Sequence, residues 1–236
     1  MIVIPMLGKS SRFFSAGYDE PKYQLPLWGG TVFSESLSSF KEQFSSTPFL
    51  FLLRADFSAR EFVARELVSM GIKDYRIIEF MYETDGQAHS VFEGTRDYRN
   101  ETPIIVFNID TIRHRFSIPS NENFGDGFLE VFKGDGDAWS FVQLGENSEV
   151  IRTAEKRRIS ELCSNGMYGF KRLGDFREAY ILGSESCLLE NREVYIAPLY
   201  NVLIQKGFDI RCIELPIEVM SFCGTPDEYQ SLIKSI

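Results

Sequence analysis

The stretch IVIPMLGKSSRFFSAGYDEPK, Ile2 to Lys22, decides how the rest of the chain is read. Ile2–Met6 is a short apolar run with β-branched residues, the pattern of a buried strand. It gives way at once to a loop, Leu7 to Leu25, rich in Gly, Ser and Pro. A small-residue loop after a buried strand exposes backbone N–H groups that can wrap phosphate oxygens. Arg12 adds a planar fork suited to phosphate, and Lys22 a mobile point charge. Taken alone, a Ser/Gly loop with one Arg is more often a solvated turn, so the surrounding sequence has to decide.

Outward from this loop, apolar spacing predicts a helix over Val32–Phe44 and a strand at Phe49–Leu53. A helix over Phe57–Met70 follows, with Gly71 as its stop. Arg76–Phe80 reads as a strand, Gln87–Tyr98 as a helix and Ile104–Asn108 as a strand. Alternating strands and helices imply parallel strands covered by helices on both faces. Ligands of such sheets bind at the carboxyl ends of the strands, so the loops after Met6, Phe80 and Asn108 are expected to share one crevice. The second half is less regular. Phe128–Phe132, Trp139–Leu144, Val150–Thr153 and Met167–Phe170 read as strands. Leu173–Leu182, Tyr195–Gln205 and Asp227–Ile236 read as helices. The expected fold is α/β: a three-layer, mostly parallel, Rossmann-like sheet with a small irregular β-rich lobe. It is expected to form a single domain, with residues 1–115 the regular half and 116–236 the less regular half.

Residues 4–40, IPMLGKSSRFFSAGYDEPKYQLPLWGGTVFSESLSSF, resemble the start of the sugar-phosphate nucleotidyltransferases, the NDP-sugar pyrophosphorylases and their cytidylyltransferase relatives. That family opens with a strand, a G-x-G-x-R loop, a Pro-Lys pair and an L-x-G-K-P entry to a helix. Gly8, Ser10 and Arg12 sit on the loop pattern, with Ser10 in place of the second Gly. Pro21-Lys22 matches the pair, and Leu27 to Val32 the helix entry. Thr84-Asp85-Gly86-Gln87-Ala88 resembles the T-x-G-x-A turn at the nucleotide, and Phe107-Asn108-Ile109-Asp110 the strand end that supplies a metal ligand. Glu155-Lys156 resembles the acceptor-side E-K pair, and Asn165 to Phe170 the G-x-Y-x-F strand. Glu193 to Ala197 resembles a helix start, and Gly224-Thr225-Pro226 the near-terminal G-T-P. The order of these segments covers almost the whole chain and is far more specific than any one of them.

The resemblance implies a nucleotidyl transfer in the glycosyltransferase-A-like nucleotidyltransferase fold. An NTP would be joined to a sugar phosphate or other small phosphorylated metabolite, with release of pyrophosphate. CTP is favoured over UTP or dTTP, because the compact chain resembles single-domain cytidylyltransferases and capsule-locus enzymes of surface polysaccharide synthesis. Two anions must meet, so Mg²⁺ and basic side chains are needed against their repulsion. By resemblance Arg12, Lys22 and Lys156 are the catalytic cations, Lys156 gripping the acceptor phosphate. Leu7, Gly8, Ser10, Ser11, Gly86, Gln87 and Asn108 bind nucleotide. Glu155, Gly166 and Glu193 bind acceptor, and Asp110 holds Mg²⁺. Each has a plainer alternative: Asp110 as a turn cap, Lys156 within the solvated cluster Lys156-Arg157-Arg158, and Glu193 as a helix start.

The sequence departs from the pattern at Phe222, which stands where the family's second metal carboxylate precedes Gly-Thr-Pro. Phe cannot ligate Mg²⁺; Glu218 lies nearby, and loss of catalysis is the alternative. Asp135-Gly136-Asp137 suggests the D-x-D of metal-dependent glycosyltransferases, against a Gly-rich turn, the reading favoured on turn chemistry. Competing functions are therefore a glycosyltransferase using an NDP-sugar and a catalytically silent nucleotide-binding protein.

The 236 residues carry a net charge of −9, which argues against nucleic acid or an anionic membrane as the partner. The expected partners are small molecules, NTP and phosphorylated acceptor; an exposed apolar helix face would favour a homodimer. The four cysteines, Cys163, Cys187, Cys212 and Cys223, form no CxxC, and there are two histidines. A zinc site is not expected; buried reduced thiols in a cytoplasmic protein are. The apolar N-terminus lacks a basic n-region and a cleavage site, so it does not read as a signal peptide. No apolar run has the length of a membrane span.

Overall fold

A computed structural model describes residues 1–114 and 116–234. The predicted end of the last helix, at Ile236, lies outside the described residues. The chain divides into two compact units. The first comprises Met1–Val3, Thr84–Phe107 and Ile118–Ile217; the second comprises Ile4–Glu83, Asn108–Ser117 and Glu218–Ile236.

In the first unit, the first residues of the strand Ile2–Met6 run parallel to Ile104–Phe107, with Ile2 opposite Ile105 and Val3 opposite Val106. Ile104–Phe107 then pairs antiparallel with Leu162–Phe170, a strand buried along its whole length. Gly127–Lys133, Ser140–Leu144 and Val150–Glu155 complete the antiparallel part. Ile210–Glu214, not expected from the sequence, adds a parallel strand beside Gly127–Lys133. The helix Gln87–Gly94 stops short of Tyr98. Thr95 turns its hydroxyl back to the Val91 carbonyl, 2.7 Å away, and the Arg177 guanidinium takes the carbonyls of Arg96 at 3.2 Å and Tyr98 at 3.0 Å. Those carbonyls are satisfied without a further helical turn.

The helix Leu173–Asn191 runs well past the expected end at Leu182. Gly183 sits in its middle because a Cβ there would lie 2.9 Å from Val202 Cγ2 and 3.2 Å from Leu199 Cδ2. This glycine marks close packing against the helix Ile196–Gln205, not a stop.

In the second unit, Phe49–Arg54 and Tyr75–Phe80 pair in parallel, joined by the helix Ala59–Met70. Ala59, Phe62, Val63 and Leu67 form the helix's buried stripe. Gly71 ends it at φ 75°, as expected for a left-handed C-terminal residue. The helix starts later than Phe57, because Phe57 and Ser58 both have positive φ. The helix Val32–Ser38 is likewise shorter than Val32–Phe44. Thr31 and Ser34 cap its start reciprocally. Its serines then bond backbone elsewhere: Ser36 donates to the Thr111 carbonyl at 2.6 Å and Ser39 accepts from the Arg113 N–H at 2.8 Å. Such side chains compete with helix continuation.

A two-stranded ribbon positions the end of this unit. Thr111–Arg113 pairs antiparallel with Met220–Phe222, Phe222 facing Thr111. The ribbon brings Cys223 to Asp110, whose carbonyl accepts from the Cys223 N–H at 2.8 Å.

Candidate active site

The second unit joins the loops after three strands by two ion pairs. Lys9 Nζ, in the loop after Met6, is 2.8 Å from Glu83 Oε1, in the segment after Phe80. Lys22 Nζ is 2.5 Å from Asp110 Oδ2, beyond the strand ending at Phe107. This is the grouping expected for the carboxyl ends of these strands. Ser10, which replaces a glycine of the resembled pattern, adopts the left-handed conformation, φ 50° and ψ 26°. Its side chain gives it a use a glycine lacks: Ser10 Oγ accepts from the Lys22 backbone N–H at 3.2 Å, tying the loop to the Pro-Lys segment. Gly8, Ser11 and Arg12 are exposed, Leu7 and Asn108 half-buried.

Asp110 lies among groups that suit a hard divalent cation. A Cβ on Gly224 would lie 3.2 Å from Asp110 Oδ2 and 3.4 Å from Glu228 Oε2, so the bare glycine leaves a cradle flanked by two carboxylate oxygens. Glu228 also accepts from the Thr225 N–H at 2.9 Å, capping the helix Pro226–Lys234. The sequence reading missed Glu228, looking instead to Glu218, which is exposed in the 3₁₀ turn Ile217–Val219. The spacing T-x-x-E from Thr225 to Glu228 was the signal that could have found it. Carboxylate oxygens are the donor type that Mg²⁺ takes.

Cys223 lies in the same surroundings. Burial pushes its thiol up to about 12, Asp110 and Glu228 add to this, and Lys22 opposes it. Burial, helped by Glu214, likewise takes Cys212 to about 12. All four cysteines are free, with Cys212 half-buried and the rest buried. At pH 8 native protein should therefore react with a thiol-specific disulfide reagent at least about 100-fold more slowly than protein in denaturant. A fast native phase would place an accessible thiolate where this structure has none.

The first unit holds the remaining predicted residues. Glu155 ends the strand Val150–Glu155, and Lys156 follows it at φ 50° with its N–H bound to the Trp139 carbonyl at 2.9 Å. The Glu155 side chain is 5% exposed and accepts from Ser140 Oγ. Burial raises its carboxyl pKa, Ser140 and Lys156 oppose this, and Glu193 adds to it. Lys156 Nζ donates to Tyr195 Oη at 2.5 Å and lies 3.7 Å from Glu155 Oε1. Burial lowers the Lys156 ammonium pKa, but the Tyr195 bond and the charges of Tyr195, Glu155 and Glu193 outweigh it and leave it raised. Glu193 precedes the helix Ile196–Gln205 by more than a cap position, so it does not serve that helix's first turn. Tyr195, read from the sequence only as the start of a helix, belongs to this cluster.

The turn Thr84–Gln87 is bonded to the segment that carries Tyr195. The Val194 N–H donates to the Asp85 carbonyl at 2.5 Å, and the Ala88 N–H to the Val194 carbonyl at 2.9 Å. Gly86, at φ 129°, packs directly on this backbone. Gly166 sits in a buried bulge of Leu162–Phe170 where the pairing register shifts between Ser164 and Tyr168. Asn165 supports the bulge, accepting from the Met167 N–H at 3.0 Å and donating to Glu130 Oε2 at 2.8 Å.

Asp135-Gly136-Asp137 is an exposed turn. Trp139 Nε1 donates to the Asp135 carbonyl at 3.1 Å, and the Arg158 guanidinium to the carbonyls of Gly134 and Gly136, each at 3.0 Å. Arg158 thus has a structural task within its basic cluster. Among the described residues, no group of three or more His, Cys, Asp or Glu could hold a metal ion, and no helix is long and apolar enough to cross a membrane.

Solved structures resemble the chain over nearly its whole length. A nucleoside-diphosphate-sugar pyrophosphorylase from Vibrio cholerae RC9 is 46% identical, over 99% of this chain and 100% of that one, at a TM-score of 0.94. An inositol-1-phosphate CTP transferase from T. maritima is 15% identical over 99% and 95% of the two chains, at 0.75. A UDP-glucose pyrophosphorylase complexed with UDP-glucose is 13% identical over 99% and 97%, at 0.74. The last two likenesses are of fold alone, an α/β nucleotidyltransferase fold with a mostly parallel central sheet. No protein-family model and no curated protein matches.

Proposed function

Because the chain belongs to the sugar-phosphate nucleotidyltransferases and is itself a nucleotidyltransferase, we propose that it joins the NMP part of an NTP to a sugar phosphate or related small phosphorylated metabolite. CTP leads the triphosphates to test, ahead of UTP and dTTP, and the product would serve surface polysaccharide synthesis such as a capsule. The observation that supports the reading is the Lys22–Asp110 pair at 2.5 Å, a cation and a carboxylate held together beside the Gly8–Arg12 loop, as a triphosphate with its metal would need.

In this reading Leu7, Gly8, Ser10 and Ser11 line the triphosphate with backbone and small side chains, and Arg12 and Lys22 supply positive charge. Gly86, Gln87 and Asn108 contact the nucleoside. Asp110, with Glu228 beside it, would hold Mg²⁺, which when bound neutralises phosphate charge and favours departure of pyrophosphate. Lys156 grips the acceptor phosphate, while Glu155 and Glu193 accept from acceptor hydroxyls near Gly166. An acceptor phosphate oxygen attacks the α-phosphorus, and the bond from that phosphorus to the α–β bridging oxygen breaks. Pyrophosphate carries away the electron pair. The acceptor phosphate is already anionic at neutral pH, so no general base is required.

Four free cysteines support a reducing, cytoplasmic setting. Ile181, Leu182, Leu188 and Leu189 are exposed along one face of Leu173–Asn191 and support a homodimer. Sedimentation equilibrium of Leu189→Glu against the native chain tests that.

The deciding experiment incubates the protein with Mg²⁺, CTP, UTP, dTTP, ATP or GTP, and a panel of sugar 1-phosphates and polyol phosphates, and follows pyrophosphate. Release that needs one NTP and one acceptor is expected. Tight NTP binding with silence across the panel would overturn the reading.

A further inference from the structure

Lys156 is held in a way that its own backbone does not explain. A non-glycine residue at φ 50° carries a conformational cost, and a lysine stem has freedom to leave its neighbours for water. Here the ammonium donates to Tyr195 Oη at 2.5 Å and stands 4.4 Å from the centroid of the same ring. Tyr195 therefore meets the charge through its hydroxyl: at these two distances the nitrogen lies out beyond Oη, past the edge of the ring. An ammonium has three donors. One goes to Tyr195, and the Glu155 oxygen at 3.7 Å is too far for a full hydrogen bond. Tyr195 and the weaker Glu155 contact leave ammonium donor capacity for a phosphate oxygen.

Tyr195 is itself fixed from behind. Its neighbour Val194 bonds the Asp85–Ala88 turn through both its N–H and its carbonyl. The packing of Gly86 against Val194 closes the same contact. The side chain that holds Lys156 is thus anchored on the turn that carries Gly86 and Gln87.

We propose that Tyr195 is the positioning residue for Lys156, presenting its ammonium to the acceptor phosphate in register with the nucleotide-side turn. The proposal rests on the reading of Lys156 as the acceptor-phosphate lysine. It deepens that reading by naming the group that fixes where a phosphorylated acceptor is bound. Removing the hydroxyl deletes the hydrogen bond and frees the ammonium to rotate; removing the ring as well releases the stem.

The test pairs kinetics with a measurement that needs no turnover. Tyr195→Phe is expected to raise the acceptor KM about tenfold, with kcat and the NTP KM within about twofold of native. Tyr195→Leu is expected to lower kcat as well. Lysines carrying ¹³C-methyl groups report the geometry directly: the Lys156 signal should stand apart from those of solvated lysines in the native chain and move towards them in Tyr195→Phe and Tyr195→Leu. An acceptor KM unchanged in both variants, or a Lys156 signal the same in the native chain and Tyr195→Leu, overturns the proposal. The reading beneath it fails separately, if Lys156→Ala leaves the acceptor KM unchanged.

Discussion

Gly86→Ala should cost about 3 kcal/mol of stability and abolish most pyrophosphate release. The residue stands at φ 129° and ψ −176°, a region that side chains other than hydrogen rarely enter. The added Cβ would also lie 2.7 Å from the Val194 nitrogen and 2.8 Å from the Val194 oxygen. These are backbone atoms and cannot swing aside, because both are already bonded to the Asp85–Ala88 turn. Relief would need Val194 to move, and Tyr195 and Lys156 with it. Urea unfolding measures the first effect and pyrophosphate release the second. Gly8→Ala is the matched control: its Cβ meets nothing within 4 Å, so native stability is expected. Activity lost there would report close approach of the triphosphate to the loop. A Gly86→Ala protein of native stability would show that this backbone contact is not rigid.

What the sequence made legible follows the range of the forces involved. The strand Ile2–Met6 and the helix end at Met70 with Gly71 are where expected, since local apolar pattern and a left-handed glycine decide them. The helices at Ser38 and Asn191 miss their expected ends for tertiary reasons. Ser36 and Ser39 bond the Thr111–Arg113 strand, and Gly183 admits a second helix; neither partner is visible in a local window. The same division holds at the site. Lys22, Asp110, Glu155 and Lys156 are proposed through resemblance to a family pattern, and the structure pairs them as Lys22 with Asp110 and Lys156 with Glu155. Tyr195 and Glu228 were not found. Tyr195 reaches Lys156 across 39 residues of chain, and Glu228 looks like an ordinary helix cap until Gly224 brings it towards Asp110.

Lys22→Ala and Asp110→Asn are expected to lower turnover by about a hundredfold or more each, yet to move divalent-cation binding in opposite directions. Lys22 Nζ and a cation at Asp110 draw on the same carboxylate, and the pair is largely shielded, with side chains 20% and 24% exposed. Deleting the ammonium leaves Asp110 and Glu228 flanking Gly224 without that counter-charge, so Mn²⁺, followed by its electron paramagnetic resonance, should bind about tenfold more tightly. Turnover still falls, because the triphosphate has lost a cation. Neutralising Asp110 removes the shared carboxylate and should weaken Mn²⁺ and turnover together. A purely structural ion pair predicts something else: both variants would lose stability and neither would change Mn²⁺ binding. Weaker Mn²⁺ binding in Lys22→Ala would place the cation away from Asp110, and with it the triphosphate that Lys22 is proposed to hold. The two variants therefore separate a site from a brace, which turnover alone would not do.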